Sequence, residues 1–116
     1  MNERIEVFFR LFNERDLDGM GALLAEDAVF RFPKTADLEG RERILRFLKL
    51  LLRRFPELEF TLRETVTEGE TAAAWWTNRG VDRQGEPYAN EGATWIRWRE
   101  GAIVSISDFF KDTEKF

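Results

Sequence analysis

The chain has 116 residues, with 18 Lys or Arg against 22 Asp or Glu and a net charge of −4, so we expect one domain over residues 1–116 and no nucleic-acid partner. It contains no Cys and no His, which excludes disulfides, thiolate nucleophiles, zinc sites built on Cys or His, and an imidazole base. No apolar run approaches the length of a membrane span, so we expect a cytoplasmic protein without membrane contact. Without Cys or His, we also expect no metal, and we expect no cofactor.

Three helices are predicted in the first half of the chain. Residues 3–15 carry Phe8, Phe12 and other apolar side chains at helical spacing. Asp16 can cap a second short helix that extends through Leu24. Residues 41–54 form the strongest helix, because their apolar positions follow the 3.6-residue period and Pro56 ends them.

Strands are predicted between the second and third helices and in the second half of the chain. Residues 28–32 read as a short strand ended by Pro33, and the loop that follows leads to Gly40. After Pro56 the apolar period becomes two, with inward positions at Leu58, Phe60, Leu62 and Val66. Turns then separate three further strands, at residues 71–82, 90–99 and 102–111. This order predicts an α+β domain with helices on one face of a mostly antiparallel sheet.

Short motifs occur in the same order as in a known superfamily. They are NERDLDG (13–19), LAEDA (24–28), LEGRE (38–42), YAN (88–90), REGAI (99–103) and DFFKDT (108–113). With them almost the whole chain resembles the nuclear transport factor 2-like superfamily, and within it the SnoaL-like and ketosteroid-isomerase-like proteins. The resemblance implies a cone-shaped, cystatin-like fold, in which three N-terminal helices pack on a strongly curved sheet and a pocket lies between them. It also implies a homodimer through the convex sheet face.

The resemblance does not extend to the chemistry of ketosteroid isomerase. That enzyme uses an Asp base and an oxyanion hole made of a Tyr and a protonated Asp. Aligned on residues 16–19, the tyrosine falls at Phe8, the base at Phe32 and the protonated acid at Thr94. A phenyl ring neither donates nor accepts a proton, so isomerisation of ketosteroids by that mechanism is excluded.

Asp108 is the candidate catalytic residue. Strand alternation places it on one face with Val104, Ile106 and Phe110, and the resemblance makes that face concave. SnoaL-like polyketide cyclases are similar in carrying a catalytic Asp on this strand. A carboxylate in an apolar pocket has a raised pKa, which suits general acid–base catalysis. The alternative is a structural Asp108 that accepts hydrogen bonds from backbone N–H groups or an arginine at the sheet edge.

Several apolar and polar side chains are expected to converge near Asp108. The candidate binding residues are Phe8, Phe12, Leu24, Phe32, Phe47, Trp76, Asn78, Thr94, Ile96 and Phe110. For any one of the rings, plain core packing is the alternative, and Phe30 is an alternative to Phe32. Asn78 faces the pocket only if Trp76 also faces inward; a register shift by one residue would turn Trp75 and Thr77 inward instead.

The opposite face of the sheet is expected to be an interface. Trp95, Arg97 and Arg99 lie there on the same side of the strand. An exposed Trp beside arginines is typical of protein interfaces, because it offers a large contact area and cation–π contacts. We therefore expect a homodimer through this convex face.

Two functions are compatible with these features. The first is a SnoaL-like protein that binds a small apolar or aromatic molecule and acts on it as an isomerase, cyclase or hydrolase, with Asp108 as general acid or base. The second is a non-catalytic ligand-binding or dimerisation module in which Asp108 is structural. A second polar group close to Asp108, from Asn78, Thr94 or Tyr88, would favour the enzyme.

Overall fold

The computed structural model describes residues 4–114 and contains three helices and six strands in that range. In chain order the elements are α1 (Arg4–Asn13), α2 (Leu17–Leu23), β1 (Leu24–Arg31), β2 (Leu38–Glu39), α3 (Arg41–Arg54), β3 (Glu59–Glu68), β4 (Thr71–Val81), β5 (Pro87–Arg99) and β6 (Ala102–Phe110). The predicted α+β class, with three N-terminal helices on a sheet, is confirmed. The predicted start of the first helix at residue 3 lies outside the described residues.

The six strands form one mixed sheet in the order β2-β1-β6-β5-β4-β3. Strands β3 to β6 pair as successive antiparallel neighbours, and β1 pairs antiparallel with β2. The pairing of β1 with β6 is parallel, so the sheet is mostly antiparallel as predicted. None of the helices described within residues 4–114 is long and apolar enough to cross a membrane.

Local contacts fix the helices over the sheet. The Asp16 side chain accepts a hydrogen bond of 2.8 Å from the backbone N–H of Gly19 and so caps α2. Asn13, the last residue of α1, binds both backbone groups of Phe60 on β3: its Nδ2 donates to the carbonyl and its Oδ1 accepts from the N–H, each at 2.9 Å. This pair of bonds ties the end of α1 to β3.

Two strands begin earlier than the sequence predicts, and one short strand was predicted as loop. β1 begins at Leu24, not at residue 28, because Leu24 already pairs with Ile103 of β6. β2 was predicted as loop, yet its two residues pair with Val29 and Phe30. β5 begins at Pro87, not at residue 90, because β4 pairs with it as far as Val81. In each case pairing with a neighbouring strand defines an end that local apolar alternation does not mark.

Two β-bulges change the faces on which Val66 and Val104 lie. The β3–β4 register shifts between Leu62 and Glu64, and Val66 beyond the shift is 59% exposed on the convex face. The β5–β6 register shifts beside Val104, so Ile103 is fully buried and Val104 is only partly buried. An extra residue in one strand reverses the side-chain alternation beyond it. The prediction that Val66 and Val104 face the core was therefore wrong.

The facing of β4 is settled by burial. Ala72, Ala74, Trp76 and Asn78 are all buried beneath the helices, whereas Trp75 is 47% exposed. Of the two registers that the sequence left open, the structure has the one that turns Trp76 and Asn78 inward.

Candidate functional site

A cavity lies between the helices and the concave face of the sheet. Its volume is about 30 Å³, which is room for about two water-sized groups. Six of the predicted site residues line it: Phe8, Phe12, Phe32, Asn78, Asp108 and Phe110. Nine further residues line it, of which the sequence offered only Phe30 and Tyr88 as alternatives: Phe9, Phe30, Leu48, Leu51, Phe55, Leu58, Phe60, Tyr88 and Ile106.

The other predicted site residues lie outside the lining. Leu24 and Ile96 are buried in the core. Phe47 packs behind Phe32, with ring centroids 4.8 Å apart, so it supports the cavity wall from outside. Trp76 and Thr94 are also buried, and they reach Asp108 through hydrogen bonds and not across the cavity.

A chain of hydrogen bonds ends on Asp108. Nε1–H of Trp76 donates to Oγ1 of Thr94 at 2.8 Å, and Oγ1–H of Thr94 donates to Oδ1 of Asp108 at 2.6 Å. Thr94 lies directly opposite Asp108 in the β5–β6 register, so the strand pairing itself brings the two side chains together. The sequence alone indicated that these two residues share a face, but not that they are bonded.

Burial raises the pKa of Asp108 from 3.8 to about 7, although the hydrogen bond from Thr94 lowers it. The carboxyl group is surrounded on the cavity side by apolar side chains, among them Ile106 and Phe110. The charged form therefore loses hydration without gaining a cationic partner among residues 4–114. A pKa near neutrality is the value at which a carboxyl group both accepts and donates protons under physiological conditions.

Asp108 also reaches a second space, a groove on the outer surface. The groove runs past Arg31 and Pro33, at the end of β1, and past Ser107 and Thr113. Asp108 as a whole residue is only partly buried, and it lines both the cavity and this groove.

Asn78 is the other polar side chain of the cavity with an unusual environment. It is 4% exposed, and within the described residues neither its Nδ2 nor its Oδ1 has a hydrogen-bond partner. Leaving a buried polar group unpaired costs roughly 1–3 kcal/mol. An amide that can both donate and accept is therefore available to a molecule in the cavity.

Tyr88 and Asn90, two residues apart on β5, have different surroundings. Tyr88 lines the cavity, and burial raises the pKa of its hydroxyl. Asn90 is structural: its Nδ2 donates to the carbonyl of Asp112 at 2.8 Å and its Oδ1 accepts from the N–H of Glu91 at 2.9 Å. It holds the segment after β6 against the sheet.

Comparisons with known proteins agree with the fold. Residues 5–106 match the family model described as the SnoaL-like domain. No curated protein matches the chain.

Solved structures of low sequence identity have the same fold. An NTF2-like protein from Exiguobacterium sp. 255-15 is 19% identical, with a TM-score of 0.84 over 94% of this chain and 98% of that one. A protein from Catenulispora acidiphila with a ketosteroid isomerase-like fold, in complex with trimethylamine, is 20% identical, with a TM-score of 0.84 over 94% and 85% of the two chains. TerC co-crystallised with polyporic acid is 18% identical, with a TM-score of 0.82 over 92% and 88%.

Proposed function

Because this chain belongs to the SnoaL-like domain family, we propose that it binds a small, largely apolar molecule in the cavity and exchanges a proton with it through Asp108. The observation that carries the proposal is the carboxyl group itself. It lines an aromatic cavity, has a pKa raised to about 7 by burial, and is bonded by Thr94 at 2.6 Å. The binding of trimethylamine and polyporic acid by proteins of this fold supports a small-molecule ligand.

The arrangement favours a ligand with one polar group on an apolar frame. Within the described residues the cavity wall offers three polar side chains, those of Asp108, Asn78 and Tyr88. The Nδ2 of Asn78 can donate to a carbonyl oxygen while Asp108 removes or returns a proton at the neighbouring carbon. A ligand larger than a few atoms requires the surrounding rings to move, since the cavity measures about 30 Å³.

The chemistry differs from that of ketosteroid isomerase. Phe8 and Phe32, which occupy the positions of that enzyme's tyrosine and base, both line the cavity and carry no ionisable group. Asp108 is therefore the proposed general acid and base, and it acts from the last strand of the sheet.

Hydrogen exchange at a carbon next to a carbonyl tests this proposal directly. With cyclohexanone as probe in D₂O, we expect the wild-type protein to accelerate loss of the α-hydrogen NMR signal and Asp108→Asn to lower that rate about a hundredfold or more. Asp18→Asn, an exposed acid in the first turn of α2, is the control and should exchange as the wild type does. Binding of cyclohexanone without faster exchange would instead favour the non-catalytic binding module.

We also propose that the protein is a homodimer through the convex face. Trp75, Trp95 and Phe109 are 47%, 46% and 61% exposed there. Trp95 pairs with Ala73, and Ala93 pairs with both Trp75 and Phe109, so the small side chains join the rings into one apolar patch. Monomers seldom expose such contiguous patches without a partner.

Charge along β5 supports a two-fold arrangement of this patch, which consists of Trp75, Trp95, Phe109 and the alanines between them. On the outward side of β5, Arg97 lies at one end of the patch and Glu91 at the other. A two-fold axis through the patch would place Arg97 of one copy beside Glu91 of the second. An isologous interface needs such self-complementarity.

Trp95→Glu should therefore abolish the dimer, since it places a charge at the centre of the apolar patch. Light scattering should give about twice the 13.7 kDa chain mass for the wild type and a single chain mass for the variant. Leu50→Glu is the matched control, because Leu50 is a 54% exposed apolar residue on α3. A monomeric wild type at micromolar concentration would contradict the proposal.

A further inference from the structure

The two oxygens of Asp108 have different surroundings. We infer that Trp76 and Thr94 are positioning residues that hold Oδ1 of Asp108 as a hydrogen-bond acceptor, so that Oδ2 is the oxygen that takes up and releases the proton. This inference rests on the proposed function, in which Asp108 exchanges a proton with the ligand.

The direction of the hydrogen bonds follows from the chemistry of the two donors. An indole N–H can only donate, so Trp76 occupies a lone pair of Oγ1 of Thr94 at 2.8 Å. Thr94 is 2% exposed, and its hydroxyl hydrogen needs an acceptor inside the protein. Oδ1 of Asp108, at 2.6 Å, is the acceptor that the structure gives it.

The backbone explains why the indole reaches Thr94. Trp76 pairs with Gly92 across β4 and β5, two residues before Thr94. A Cβ at residue 92 would clash with the backbone carbonyl oxygen of Phe109 and would lie 2.8 Å from two carbons of the indole ring, which is closer than real Cβ contacts. The absence of a side chain at Gly92 therefore leaves room both for β6 and for the ring that bonds with Thr94.

The two carboxyl oxygens of Asp108 then have different roles. In the neutral acid, Oδ1 is the carbonyl oxygen that accepts from Thr94, and the proton resides on Oδ2. Among the described residues, the other groups of the cavity wall and the outer groove that carry or can acquire charge are Tyr88 of β5, in the cavity, and Arg31 of β1, in the groove. The residues that α1 and α3 contribute to the cavity wall are apolar.

Infrared spectroscopy of the protonated carboxyl group tests the assignment without any ligand. We expect the C=O stretch of Asp108, isolated as the difference from Asp108→Asn, to be lowered in the wild type by the bond from Thr94. Thr94→Val should raise this frequency, because it removes the donor, and Thr94→Ser should restore it. Thr77→Val, on the outer face of β4, is the control and should leave the frequency unchanged.

NMR titration of the Asp108 carboxyl carbon provides a second readout. Thr94→Val should make Asp108 about tenfold weaker as an acid, because the charged form loses a hydrogen bond. Trp76→Phe should also weaken the acid, because a Thr94 hydroxyl that no longer accepts from Trp76 is a weaker donor to the charged carboxylate. Thr94→Ser should titrate as the wild type.

An unlowered C=O stretch in the wild type would overturn the inference, because the Asp108 hydroxyl would then be the donor to Thr94. Equal pKa values in Thr94→Val and Thr94→Ser would overturn it as well. An unchanged pKa in Trp76→Phe would remove Trp76 from the arrangement. None of these measurements uses turnover, so the proposed function can fail while the inference stands, and the reverse.

Discussion

Replacing Asp108 by Asn is expected to remove a pH dependence of folding stability that amounts to as much as about 4 kcal/mol in the wild type, from the difference between a pKa of 3.8 and one of about 7. The amide has nearly the shape of the carboxyl group and can still accept the hydrogen bond from Thr94. The variant should therefore keep the fold while losing the titration.

The sign follows from where the proton is bound. In the unfolded chain Asp108 loses its proton near pH 3.8, whereas the folded chain retains it up to about pH 7. Between these values the folded state binds more protons than the unfolded state, so rising pH favours unfolding. The loss of folding stability caused by Asp108 begins near pH 3.8 and is complete above about pH 7. Above about pH 7 Asp108→Asn should therefore be the more stable protein.

Urea unfolding followed by tryptophan fluorescence, from about pH 4 to about pH 8, measures the effect. The other carboxyl groups titrate in both proteins, so the difference between the two stability curves isolates Asp108. Asp18→Asn replaces an exposed acid and is the control for removing a carboxyl group outside the cavity. Parallel curves for the wild type and Asp108→Asn would show that Asp108 has an ordinary pKa, which would also remove the main support for acid–base catalysis.

The sequence predicts much of the fold because its signals are local and repeated. The apolar period of α3 and the alternation in β4 depend on many residues, so single exceptions do not change the result. The same alternation predicts that Asp108 and Ile106 share a face, and both line the cavity. The bulges beside Arg63 and Val104 have no comparable signal, because an extra residue in a strand is defined only by its partner strand.

The cavity wall is harder to predict than the core. Phe9, Phe55 and Phe60 are as apolar as Phe8 and Phe12, and periodicity shows only that such rings point inward. Which of them borders the open volume depends on how the helices settle against the sheet. The bond between Thr94 and Asp108 likewise depends on the β5–β6 register, which the turn at residues 100–101 and the bulge determine.

Asn78 shows a different limit of the sequence. Its inward facing was one of two predicted alternatives, but its lack of hydrogen-bond partners within the described residues was not predicted. Asn90 is a second buried asparagine, but its side chain is hydrogen-bonded to Asp112 and Glu91. The two asparagines therefore form a matched pair: one amide is satisfied by the protein and the other is not. Substituting each asparagine by leucine and comparing the free energies of unfolding shows which of the two side chains stabilises the fold.

Asn78→Leu should stabilise the protein by about 2 kcal/mol, because it removes two buried polar atoms that have no partner within the described residues and replaces them with apolar surface. Asn90→Leu should destabilise it by a similar amount, about 2 kcal/mol, because the backbone groups of Asp112 and Glu91 lose their partners. The free energies of unfolding in urea, measured at one pH, give both values. In the cyclohexanone assay Asn78→Leu should lose exchange activity despite its greater stability. Equal destabilisation by the two substitutions would mean that Asn78 is structurally satisfied, for example through water in the cavity, and that its amide is not reserved for a ligand.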